Sequence, residues 1–185
     1  MIFVGNNPFP NIEQRGIDMT DRDTNFEKLK EMLKDIDFCM LSTVDDKGDI
    51  HSRPMSLNGE IDEDGNLWFF TSSESLKAQE VERLPKVNAS FSDPGDHRYV
   101  SISGSAQLVK DRTKIRQLWK PVFRAWFPEG PDQQDVALLK VHLEKAEYWD
   151  SPSSKIAQVV SFVSAIVTGK EAEFGENKKV NLGSD

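Results

Sequence analysis

The sequence predicts a mainly β domain: about six short strands closed into a small barrel, with helices packed outside it. Three observations predict this. Apolar or alternating segments recur between tight-turn signals such as Asn58-Gly59, Asp64-Gly65 and Asp93-Pro94-Gly95-Asp96. The links between consecutive strands are mostly short, which makes the sheet largely antiparallel. A few segments carry a 3.6-residue apolar period instead of a period of two, and these supply the flanking helices.

Residues 1–22 read as an irregular arm, residues 23–169 as the domain and residues 170–185 as a polar tail. Thr24 to Ile36 reads as a helix: Thr24 and Glu27 have capping-box spacing, and Leu29, Met32, Leu33 and Ile36 form an apolar stripe. Phe38 to Val44 is an apolar strand ending at the turn Asp45-Asp46-Lys47-Gly48. Asp49 to Leu57 is a partly polar strand. Pro54 inside it cannot donate to a ladder, so it belongs at an edge, at a bulge or facing a ligand. Leu67 to Thr71 is a strand rich in aromatics, followed by the turn Ser72-Ser73-Glu74-Ser75 and a helix from Leu76 to Leu84 that Pro85 stops. Lys86 to Ser92 alternates as a strand, and Arg98 to Lys110 is a longer one with a bend expected at Gly104. Asp111 caps a helix carrying Ile115, Leu118, Trp119, Val122 and Phe123, which Pro121 kinks or divides. Phe127 to Asp135 is a loop, Val136 to Trp149 a strand with Ala137, Leu139, Val141 and Leu143 on one face, and Ser154 to Thr168 a last helix closed by Gly169.

Composition narrows the function classes. Hydrophobic residues make up 37% and charged residues 29%, the balance of a globular chain. A net charge of -8 argues against nucleic acid as a partner, yet two or three local cations can still hold a small phosphorylated ligand. The lone cysteine, Cys39, sits in an apolar run and reads as a buried small hydrophobe. No Cys/His spacing suits a metal, and His51, His97 and His142 accompany no nucleophile motif. The common nucleotide-binding glycine motifs are absent. Neither a signal peptide nor an apolar stretch of spanning length is evident, so the expected place is the cytoplasm.

The stretch from Leu67 to Leu84 carries the clearest chemical signal. A strand runs through a Ser/Thr-rich turn into a helix with Lys77 in its first turn. The unpaired N–H groups and partial positive charge of a helix N-terminus suit a phosphate. Thr71, Ser72, Ser73 and Ser75 add hydroxyls and Lys77 a full charge, although one of the serines also serves as an ordinary N-cap and Lys77 as a solvated cation. Arg53 shares a strand face with Met55 and Leu57 and needs an anionic or polar partner, either a ligand or an acidic side chain. Trp68, Trp119, Trp126 and Trp149 suit either the core or a flat ring.

Taken in order, Arg53-Pro54-Met55, Leu67-Trp68-Phe69-Phe70-Thr71, Ser75-Leu76-Lys77 and Tyr148-Trp149-Asp150 resemble the general stress proteins related to pyridoxamine 5'-phosphate oxidase. The tail around Thr168-Gly169-Lys170, Gly175-Glu176-Asn177 and Val180-Asn181-Leu182 is similar to the same branch. The resemblance implies an FMN-binding split barrel that pairs into a homodimer with flavin at the interface. It implies that Arg53, Pro54 and Met55 lie along the flavin ring and its side chain, with Phe70 and Thr71 at the strand end near the ring and ribityl chain. Ser75 and Lys77, with Ser72 in the same turn, would hold the phosphate, and Trp119 and Trp149 would approach the ring from the partner subunit. FAD is compatible with the same phosphate site.

Two departures matter. The oxidases carry an arginine directly before the phosphate-binding lysine, where this chain has Leu76. They also end in an arginine- and histidine-containing segment that reads the substrate phosphate, where this chain runs Tyr148-Trp149-Asp150-Ser151-Pro152 into a further helix. These differences argue against pyridoxamine phosphate as substrate. The resemblance therefore implies a flavin-binding stress-type protein with weak oxidoreductase activity. The alternatives are a flavin reductase or pyridoxamine-phosphate-type oxidase, and a non-catalytic flavin sensor or store.

Overall fold

The computed structural model describes residues 19–150 and 176–181. Helix α1 (Met19–Leu33) leads into β1 (Phe38–Val44) and β2 (Ile50–Ser56); β3 (Asn66–Ser72) is followed by α2 (Leu76–Arg83). Then come β4 (Lys86–Asp93), β5 (Arg98–Val109), α3 (Arg112–Leu118), a 3-10 turn (Pro121–Ala125), β6 (Val136–Asp150) and β7 (Glu176–Asn181). Strand order is β2-β1-β4-β5-β6-β3, every pairing is antiparallel, and β7 continues the free edge of β6 beyond β3. The sheet curls until its two end strands approach each other, where Asn58 N–H, just past β2, donates to the Trp68 carbonyl of β3 at 3.0 Å. This is the expected mainly β split barrel.

Alternation along the strands explains the packing. Cys39, Leu41 and Thr43 of β1 point inward, as do Val87, Ala89 and Phe91 of β4 and Val100, Ile102 and Ala106 of β5. Helix α1 closes one end of this core with Leu29, Met32 and Leu33, and Ile36 joins them from the turn that follows. Strand β3 differs in being buried on both faces: Leu67 and Phe69 enter the barrel core, while Trp68 and Phe70 join Ile115, Phe123 and Phe127 in a second cluster beneath α3. Pro54 lies on β2, an end strand of the sheet, where its missing N–H costs no ladder bond.

Several expectations need correction. Helix α1 begins at Met19, inside the arm expected over residues 1–22, so Thr24 lies within the helix and not at its start; the polar run before the apolar stripe contains no helix breaker, and the helix propagates back through it. The helix stops at Leu33, the chain turns through Asp35 at φ +67°, and Ile36 keeps its place in the core. Pro121 divides the segment after Asp111 into α3 and the 3-10 turn, which leaves Val122 exposed. The polar tail contains β7, whose lack of apolar alternation hid it. The arm before Met19 and the helix expected from Ser154 to Thr168 lie outside the described residues.

Two local devices set the barrel's shape. The β5–β6 register shifts between Ser103 and Gly104, so Glu144 is the extra residue opposite them. A Cβ on Gly104 would lie 2.0 Å from the His142 carbonyl oxygen, so only glycine permits this approach. Asp62 ties the loop before β3 to that strand, accepting from the Asn66 N–H at 2.8 Å and the Trp68 indole N–H at 2.8 Å. Burial pushes the Asp62 carboxyl up, but these donors outweigh it and hold the group below its ordinary value.

Gly104→Ala is expected to destabilise the protein by about 1–3 kcal/mol, as overpacking against backbone does, read by urea denaturation at constant m-value. Asp62→Asn is expected to cost about 1–3 kcal/mol at neutral pH through its unpaired donors. Because the folded-state pKa of Asp62 is depressed, its contribution is complete above the unfolded value and is lost as pH falls through the folded one. The stability gap between parent and variant should therefore narrow below about pH 4, the ordinary aspartate range. A gap that stays constant down to pH 2 would contradict this role.

Candidate functional site

A cleft of about 390 Å³ opens between the sheet and the turn after α3. One wall is Pro54, Met55 and Ser56 of β2 with Phe38 of β1; the other is Phe123, Trp126 and Phe127. Phe70, Thr71 and Ser72 line the end of β3, and Lys77 comes from the first turn of α2. Lys77 is the one charged side chain among the described residues lining the cleft. Its size lies in the range of pockets that bury a small molecule, and a mainly apolar lining with a few convergent polar groups is typical of them.

The polar end follows from the local sequence. Ser75 is the N-cap of α2: its hydroxyl accepts from the Ala78 N–H at 3.4 Å and donates to the Ser72 carbonyl at 2.7 Å. Thr71 Oγ1 lies 3.2 Å from Ser75 Oγ, and Ser72 Oγ accepts from the Glu74 N–H at 3.2 Å. The hydroxyls expected to meet a ligand thus also build the turn. This fixes the helix start, whose Leu76 and Lys77 N–H groups have no intrahelical acceptor. Burial, and secondarily the nearby Arg53 guanidinium, hold the Lys77 ammonium below its ordinary pKa.

Seven of the residues singled out from the sequence (Pro54, Met55, Phe70, Thr71, Ser72, Lys77 and Trp126) line this one cleft. Ser75 stands just behind it as the cap. Arg53 does not line it. Its guanidinium donates to Thr43 Oγ1 and to Glu80 Oε2, the latter at 3.0 Å, so an acidic side chain supplies its partner. Trp119 packs within its own chain, its ring 5.4 Å from Phe70, 5.8 Å from Phe123 and 6.4 Å from Phe127, and so backs the aromatic wall. Trp149 lies near the far end of β6, paired with Tyr99 of β5 and Asn177 of β7, away from the cleft.

Sequence reasoning missed the roles of Phe38, Ser56, Phe127 and Glu80. Only Glu80 had a usable signal: it is one helical turn after Lys77 and therefore shares its face. Among the described residues no cluster of His, Cys, Asp and Glu could hold a metal, and no helix is long and apolar enough to cross a membrane.

Comparison with known proteins agrees with the architecture. The chain is 27% identical over 188 residues to protein bli-3 of Neurospora crassa, covering 96% of this chain and 90% of that protein. The general stress FMN/FAD binding protein of Xanthomonas citri is 32% identical at a TM-score of 0.62, covering 71% of this chain and 92% of that one. A Clostridium acetobutylicum protein related to general stress protein 26 superimposes at a TM-score of 0.64 and 15% identity, over 86% of this chain and 96% of that one, which speaks to the fold. The family model described as pyridoxamine 5'-phosphate oxidase like matches residues 24–173, and the chain belongs to that family.

Proposed function

We propose that this protein binds FMN in the cleft and works as a homodimer of the general stress type. The observation that carries the reading is the position of Lys77. It is the cationic end of a mainly apolar slot, beside a helix start with free N–H groups. A flat ring with a phosphorylated tail matches that layout. Pro54 and Met55 would lie along the ring, Phe70 and the Phe123–Phe127 wall opposite them, and Thr71, Ser72 and Lys77 at the phosphate. FAD shares the same phosphate chemistry and differs only in what extends beyond it.

The dimer is supported by what the cleft leaves open. Phe38 and Trp126 line it yet remain 55% and 58% exposed, and Met40 continues the same outer face of β1 at 44%. A second copy would cover this apolar rim and the open side of the ring. The bound flavin would supply oxidoreductase chemistry, while the protein supplies binding, orientation and shielding from water. The favoured reading is a flavin-binding protein of the stress type with weak oxidoreductase activity, carried by the flavin itself. The cytoplasm is the proposed place of action.

The test is a fluorescence titration with FMN and, separately, riboflavin, on the parent and Lys77→Ala. Saturable binding of one FMN per chain is expected, weakened roughly tenfold or more by the substitution, the size of one charge-assisted hydrogen bond. Riboflavin affinity should hardly move. A folded parent protein that binds neither compound would overturn the reading.

A further inference from the structure

The Arg53–Glu80 pair has a consequence for how tightly the cleft can hold an anion. Arg53 is on the same face of β2 as Met55, and Met55 lines the cleft. Its guanidinium is nonetheless turned toward α2, where Glu80 takes it at 3.0 Å. Glu80 is buried and well held: Oε2 also accepts from Thr43 Oγ1 at 2.5 Å, and Oε1 lies 3.4 Å from His51 Nδ1. The second nitrogen of His51 is 3.5 Å from Asp45 Oδ2. Burial alone would raise the Glu80 carboxyl, but Thr43 and Arg53 outweigh it and keep the group ionised.

We propose that Glu80 is an affinity-limiting positioning residue: it latches Arg53 away from the cleft, so that Lys77 alone meets a phosphate there. The inference rests on the flavin reading and concerns the same site. Charge balance carries it. Arg53 and Glu80 cancel, and Leu76, the residue before Lys77, is exposed and uncharged. A phosphate monoester of about two negative charges at neutral pH is then met by one side-chain cation and the helix N–H groups. Drawing Arg53 over to the phosphate would leave Glu80 buried without its cation, a cost that keeps the latch shut. A glutamine at position 80 can retain the Thr43 contact while releasing the guanidinium, which lies close enough to Lys77 to depress its pKa.

The experiment measures FMN and riboflavin affinity for the parent, Glu80→Gln and the double variant Arg53→Ala/Glu80→Gln, with circular dichroism as the folding control. Glu80→Gln should tighten FMN binding about tenfold, the scale of a gained charge-assisted hydrogen bond, without tightening riboflavin. The double variant, from which a cancelling pair has been removed, should bind FMN within about threefold of the parent, well short of one such bond. If Glu80→Gln does not fold, the charge-balanced double variant still decides. A drop of tenfold or more in its FMN affinity would mean that Arg53 already serves the phosphate. An unchanged or lower ratio of FMN to riboflavin affinity in Glu80→Gln would also overturn the latch while leaving the flavin reading intact. Absence of FMN binding by the folded parent would overturn both.

Discussion

Strand β3 has no solvent face, and the cleft is a consequence of that. Each large apolar side chain it buries contributes about 1.5–3 kcal/mol, and they divide between two clusters. Leu67 and Phe69 fill the barrel; Trp68 and Phe70 anchor the aromatic wall under α3. The ladder with β6 runs from Asn66–His142 to Ser72–Val136 and fixes the strand's register. A one-residue slip would exchange the two sets of side chains. The same register delivers Thr71 and Ser72 to the mouth of the cleft and sets where α2 begins.

Electrostatics at this mouth are local. The chain as a whole carries a net charge of -8, yet the cleft's own lining holds one cation and no acid among the described residues. Glu80, Asp45 and His51 form a second layer on the far side of Arg53. That layer orders the junction of β1, β2 and α2, at the expense of the positive charge available to a ligand. In this arrangement the position occupied by Leu76 matters as much as Lys77: a hydrophobic residue there leaves the latch as the main control on phosphate affinity.

Much of the barrel was legible because strands with one wet face write their burial into a period of two. The limits of β1, the edge position of Pro54 and the distortion at Gly104 all followed from local rules, whereas β3, buried on both faces, runs one residue further at each end than the Leu67 to Thr71 expected. The division at Pro121 did as well. Of the site, the turn and helix start carrying Thr71, Ser72 and Lys77 were readable because that chemistry is local. The partner of Arg53 was not: 31 acidic residues were available, and tertiary packing chose Glu80 across two elements. The walls from Phe38 and Phe127 were equally hidden, since a strand's first residue and a loop aromatic have no periodic signature. The intrachain packing of Trp119 on Phe70 and the distance of Trp149 from the cleft also depend on pairings far apart in sequence.

The most direct test of the central claim is a crystal structure of the protein grown with FMN. Density for the ring is expected between Pro54-Met55 and the aromatic wall, with the phosphate against Lys77 and the N–H groups that open α2. Arg53 is expected to remain on Glu80. Flavin density elsewhere on the molecule, or a phosphate turned away from Lys77 toward open solvent, would contradict this placement.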